Sequence, residues 1–115
     1  MDQNQFITAI KTAVADSSKK AVLSTLTSPS GRQPEQYLVK LSKWYNGLSV
    51  ADKEMVSSII QEAIDSTVFG LLCVLDGVRA IEDSTVKGEL KLIYQKGDDV
   101  VILNDVNGDY LHDLW

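Results

Sequence analysis

A chain of 115 residues, 44% of them apolar, is the length of one domain and can fill one hydrophobic core. Its formal net charge of −5, with no stripe of Lys and Arg anywhere, excludes a nucleic-acid backbone or an anionic membrane as an electrostatically attracted partner. The charge is also unevenly placed: eleven Lys and Arg balance eleven Asp and Glu from Met1 to Lys96, whereas Gly97 to Trp115 holds five acids and no base.

The first residues, Met1-Asp2-Gln3-Asn4-Gln5, lack the basic segment and apolar run of a secretory signal, so a cytoplasmic protein is expected. Phe6, Ile7, Ile10, Ala13 and Val14 recur at helical spacing, which predicts an amphipathic helix from Asp2 to Asp16. Ser17 or Ser18 is expected to interrupt it before a second helical stretch, Lys19 to Leu26, resumes. Thr27 to Gln33, with Pro29 and Gly31, reads as a loop.

Pro34 suits the first turn of a helix, where its missing N–H costs nothing, and Glu35 in that turn favours the positive dipole end. Leu38, Leu41, Tyr45 and Leu48 form its apolar stripe, and Gly47 weakens its end. Ser49 then caps a long helix in which Met55, Val56, Ile59, Ile60, Ala63, Ile64, Val68, Leu71, Leu72 and Leu75 follow the 3.6-residue period. Its last third, Val68 to Leu75, is apolar on every side. Such a segment must be buried all round, either by the rest of the domain or by a second subunit in a homodimer. This run is far shorter than the ~20 residues that span a bilayer, so no membrane partner is expected. Cys73 lies within it, and a lone cysteine among apolar neighbours reads as a small buried hydrophobe in a reducing compartment. Asp76-Gly77 ends the helix.

Beyond a charged connector, Arg79 to Lys87, the period changes. Leu90, Leu92 and Tyr94 alternate with polar residues, Val100 to Leu103 is a β-branched run, and Gln95 to Asp99 between them reads as a hairpin loop. Asn107-Gly108 marks a second turn, and Tyr110 to Trp115 a short terminal segment, one helical turn. An isolated hairpin is marginal in water. The expected fold is therefore a single α+β domain over 1–115: three to four helices followed by a small antiparallel hairpin or sheet packed on them.

Motifs that carry chemistry are scarce. Asp105-Val106-Asn107-Gly108-Asp109 begins like a calcium loop, but its Gly precedes the third oxygen ligand instead of following it, and an acidic turn is the better reading. His112 is the sole histidine, and hydrogen bonding to a backbone carbonyl would let it pin the tail. Glu82 and Asp83, adjacent on the connector, read as solvated acids. Phosphate-binding glycine loops, zinc-ligand spacings and a Gly-x-Ser-x-Gly turn are absent. The expectation is a protein with no catalytic residue, no metal and no cofactor. Terminal Trp115 is expected to dock back on the helices.

Two segments, Phe69 to Gly77 and Leu103-Asn104-Asp105…Leu111-His112-Asp113-Leu114-Trp115, resemble small, uncharacterised bacterial proteins whose apolar helix ends in Leu-Asp-Gly and whose tail carries Leu-His-Asp. In size and charge the chain also resembles bacterial toxin-immunity proteins, which implies a non-enzymatic inhibitor that neutralises a basic toxin domain. On this reading Asp98, Asp99, Asp105, Asp109, Tyr110, His112 and Asp113 form the partner-binding face. The other reading is a homo-oligomeric accessory or regulatory protein without catalytic activity.

Overall fold

A computed structural model describes all 115 residues. In chain order they form α1 (Gln3–Ile10), a π-helical segment (Lys11–Asp16), α2 (Ser17–Thr27), α3 (Gln36–Asn46), α4 (Val50–Leu75), β1 (Ile93–Lys96), β2 (Asp99–Ile102) and a 3₁₀ turn (Leu111–Leu114). The architecture is the expected α+β one, helices first and a two-stranded antiparallel sheet after them.

Asp2 starts α1 with a reciprocal cap: its carboxylate accepts from the Gln5 amide, and the Gln5 side chain accepts from the Asp2 amide. The expected break at Ser17 or Ser18 does not occur. The chain stays helical to Thr27 because the π-helical segment absorbs the change of register between the two apolar stripes. The Ser17 hydroxyl donates to the Thr12 carbonyl five residues back, at 3.2 Å. At the far end of α2 the Thr27 carbonyl has no helical partner. Asn46 donates to it at 2.9 Å and Ser42 at 3.4 Å, which ties α3 to α2.

Pro34 lies outside α3 instead of opening it. Glu35 is extended (ψ 140°), and its carbonyl receives the first helical hydrogen bonds from Leu38 and Val39. Ser49 caps α4 as expected, accepting from the Asp52 amide at 3.1 Å. At the other end Gly77 (φ 75°) closes a Schellman motif: Val78 N–H donates to Cys73 O and Gly77 N–H to Val74 O. By length and composition α4 is apolar enough to cross a membrane, but Glu62 and Asp65 interrupt it and its last third enters the core.

The hairpin turn is tighter than the five-residue loop expected. Lys96 pairs with Asp99, leaving only Gly97 and Asp98 at the tip. Gly97 takes φ 59° at the first turn position, as a type II′ turn requires. The strands are largely exposed, and the residues flanking them, Leu92 and Leu103, anchor the hairpin.

The core is small. Ile7, Leu72 and Leu111 form its centre, with Phe6, Val68, Leu75, Leu92, Leu114 and Trp115 packed around them. Trp115 therefore docks back, and the Lys11 ammonium lies 5.7 Å from its ring centroid. The last third of α4 is covered on one side only. Gly70, Leu72 and Cys73 are buried, but Leu71 remains 58% and Phe69 41% exposed, so the domain itself covers only part of the segment expected to be buried by the domain or by a second subunit. The tail and α1 reach one face of the helix and leave the other open.

Leu72, 2% exposed, is expected to lose about 2–5 kcal/mol of stability on substitution by Ala, read from urea melts. A loss below about 0.5 kcal/mol would place it outside a packed core. Cys73 is expected to react with a thiol reagent only after denaturant unfolds the chain. Prompt labelling of the native protein would contradict its burial.

Candidate functional site

Asp76 stands at the C-cap of α4, where the helix dipole disfavours a carboxylate. Its side chain is 1% exposed and turns to the tail. One oxygen accepts from the Leu111 amide at 3.0 Å. The other accepts from the His112 amide at 2.9 Å and from His112 Nδ1 at 2.7 Å. Three donors thus replace the water that a buried carboxylate would otherwise lose. The contact also fixes the histidine: against a carboxylate, Nδ1 carries the proton. The ring stacks on Tyr110 (centroids 5.3 Å apart) and meets the edge of Phe69 at 5.6 Å.

Two further side chains extend the knot. Asn104 donates to the carbonyls of Leu75 (2.5 Å) and Leu90 (2.8 Å) and accepts from the Leu92 amide (2.8 Å). Gln3 donates to the carbonyls of Leu103 and Asp109 and accepts from the Asp109 amide. The last turn of α4, the start of α1 and both ends of the hairpin are therefore fastened to the tail. The segments Phe69 to Gly77 and Leu103 to Trp115 meet here. No buried side-chain nitrogen or oxygen is left without a partner.

The structure separates the seven expected partner-binding residues into groups. Asp98 and Asp99 sit exposed at the hairpin tip. Asp105 folds its own turn, accepting from the Asn107 amide at 3.0 Å and side chain at 3.1 Å. Asp109 is held by its backbone against Gln3, with its carboxylate free of hydrogen bonds. Tyr110, His112 and Asp113 come together, Asp113 lying 3.4 Å from His112 Nε2. His112 pins the tail as expected, but through the Asp76 carboxylate and not a backbone carbonyl. Sequence reading passed over Asp76, Asn104 and Gln3. The detectable signal was the acid in the wrong place: a carboxylate at a helix C-terminus needs another partner.

Chemically the Asp76–His112 pair is an oriented imidazole with Nε2 outward. No hydroxyl or thiol hydrogen-bonds to the ring. His112 also lines neither of the two main cavities. One, about 450 Å³, lies between the end of α4 and the connector, and Arg79, Lys87, Glu82 and Glu89 are among its walls. Glu82 there accepts from the Gly88 amide at 2.8 Å, so it shapes the connector. Gly70 lets the Arg79 guanidinium lie directly on α4, where any Cβ would collide with it. No three His, Cys, Asp or Glu side chains converge as a metal site.

No protein family, curated protein or solved structure matches this chain.

Hydrogen bonds to a charged group contribute about 1.5–3 kcal/mol each and are not additive here, so Asp76→Ala is expected to cost about 3–5 kcal/mol. Native-state hydrogen exchange should show the Leu111 and His112 amides losing protection first. Asp113→Asn, at a side chain 66% exposed, is expected to stay within about 0.5 kcal/mol of the parent. Equal effects of the two substitutions in urea melts would refute the assignment of Asp76 as the fastening group.

Proposed function

We propose that the protein is a non-enzymatic protein-binding module whose acidic C-terminal part meets a basic partner. One observation carries the reading. Asp98, Asp99, Asp105, Asp109 and Asp113 are all exposed, and no Lys or Arg of the chain forms an ion pair with any of them. An unneutralised field of one sign speeds encounter with an opposite surface and orients it. Exposed apolar residues interleave with these acids: Ile93, Val100, Val106 and Tyr110. Desolvated anchors of this kind slow dissociation.

The knot around Asp76 supports the same reading. It fixes the tail segment that carries Asp113, and Gln3 fixes the backbone of Asp109, so little ordering entropy is lost there on binding. Size and charge like those of toxin-immunity proteins suggest the finer form: an inhibitor that occludes a basic toxin domain. A cytoplasmic location in a bacterium accords with that role.

The test starts from a partner captured by the tagged protein in a native lysate, followed by stopped-flow association of the purified pair. Paired substitution of Asp98→Asn and Asp99→Asn is expected to slow association several-fold at low salt, and raising the salt to shrink the difference, since screening acts over about 8–10 Å. Melting should be unaffected. An association rate indifferent to both salt and the paired substitution would overturn the proposal.

A further inference from the structure

The chain as a whole is open. Only nine of 115 residues are buried, and the radius of gyration is 18.5 Å where a compact chain of this length has about 13 Å. Accessible surface tells the same story quantitatively. The chain exposes 8468 Å², whereas a folded monomer of 12.7 kDa exposes about 6,200 Å². The excess is about 2,200 Å².

Seven of the 21 large apolar residues left exposed lie on α3 and the first half of α4. Tyr37, Leu41 and Trp44 form a ridge along α3, 60%, 44% and 57% exposed. Met55 and Ile59, one turn apart, form a second on α4 and are 63% and 65% exposed. The Gly47–Ser49 corner joins the two helices, and the Lys53 ammonium packs over the Tyr45 ring across it. The sole buried residue of α3 is Ser42. That helix has no hydrophobic core of its own.

We infer that a second copy of this chain covers the surface, making the protein an obligate homodimer through α3 and the first half of α4. Three features select a copy over a foreign chain. First, the missing area is of the right size: removing about 1,000–2,200 Å² from each protomer buries a total of about 2,000–4,400 Å², the range of obligate homodimers. Second, a helix whose only buried residue is a serine needs its cover whenever the chain is folded, and only another copy is always present. Third, residues 17–75 carry six bases and five acids, so two copies meet there without net repulsion. A two-fold axis would use both ridges twice. This surface is separate from Val68 to Leu75, whose open side carries Phe69 and Leu71 further along α4.

The inference stands apart from the acidic-face reading, since it is tested on the purified protein alone. Sedimentation equilibrium is expected to give twice the 12.7 kDa of the chain, and the melting temperature should rise with protein concentration. Ile59→Glu, at a side chain already exposed in the protomer, is expected to weaken the dimer by at least about tenfold, a fold-change typical of a charge placed in an apolar interface. Val86→Glu, on the connector and 83% exposed, should leave the mass unchanged. A wild-type mass of 12.7 kDa at about 100 µM, with melting independent of concentration, would overturn the inference. So would a monomer that binds liposomes of neutral lipid, which would assign the apolar ridges to a bilayer.

Discussion

The fold depends on one buried carboxylate. Asp76 occupies the end of α4 where the backbone dipole repels it, and its side chain is almost wholly removed from water. Left alone it would be strongly destabilising. The tail makes it tolerable by offering two backbone amides and a ring N–H within 3.0 Å. The arrangement is mutual: the amides of Leu111 and His112 need an acceptor as much as the carboxylate needs donors. Leu111, fully buried, is thereby set against Leu72 and Ile7 at the centre of the core. Connector and hairpin form the loop that this contact closes, so a single side chain fixes where that whole stretch begins and ends.

The same device recurs in three dipeptides. Leu75-Asp76, Leu103-Asn104 and Leu111-His112 each place a leucine in the core or against it, followed by a polar residue that takes part in the knot. The apolar member is drawn inward, and the next side chain meets the backbone groups that the drawing-in strands. This is a local solution for a small domain, whose core alone is too small to define the path of the tail.

What the sequence made legible follows from how far each signal reaches. The spans of α3 and α4 rest on apolar period and on Ser49, which act within a few residues. The second strand is legible in the β-branched run from Val100, but the alternation at Leu90, Leu92 and Tyr94 places the first strand too early: β1 starts at Ile93, and Leu90 and Leu92 precede it. The turn is shorter than the composition implies, because strand pairing extends to Lys96 and Asp99, which have no β-propensity of their own. The helix through Ser17 and Ser18 was hidden because a π-helical segment shifts the apolar period by a residue. The seven acidic and aromatic candidates were visible as a composition bias, but their grouping was not. Asp76 read only as a helix stop, since its partners are two backbone amides and a ring some 35 residues on, and backbone amides leave no mark in a sequence.

The knot at Asp76 and the apolar ridges of α3 and the first half of α4 lie far apart along α4. From Asp76 back to Ile59 is 17 residues of helix, about 26 Å at 1.5 Å per residue, and Met55 lies one turn further. That distance is roughly three screening lengths at physiological salt. A charge at the Asp76 end of α4 is therefore largely screened at the ridges of the same chain. Conversely, covering the ridges leaves the knot and its exposed carboxylates untouched. A homodimer through the helical arms would then carry two acidic faces. Binding of one basic partner at each would be independent unless α4 itself bends, and the helix has no proline to kink it. A stiff α4 would thus keep the faces at a fixed separation, and a bivalent basic partner matched to that spacing would gain affinity from the second contact without any new interface.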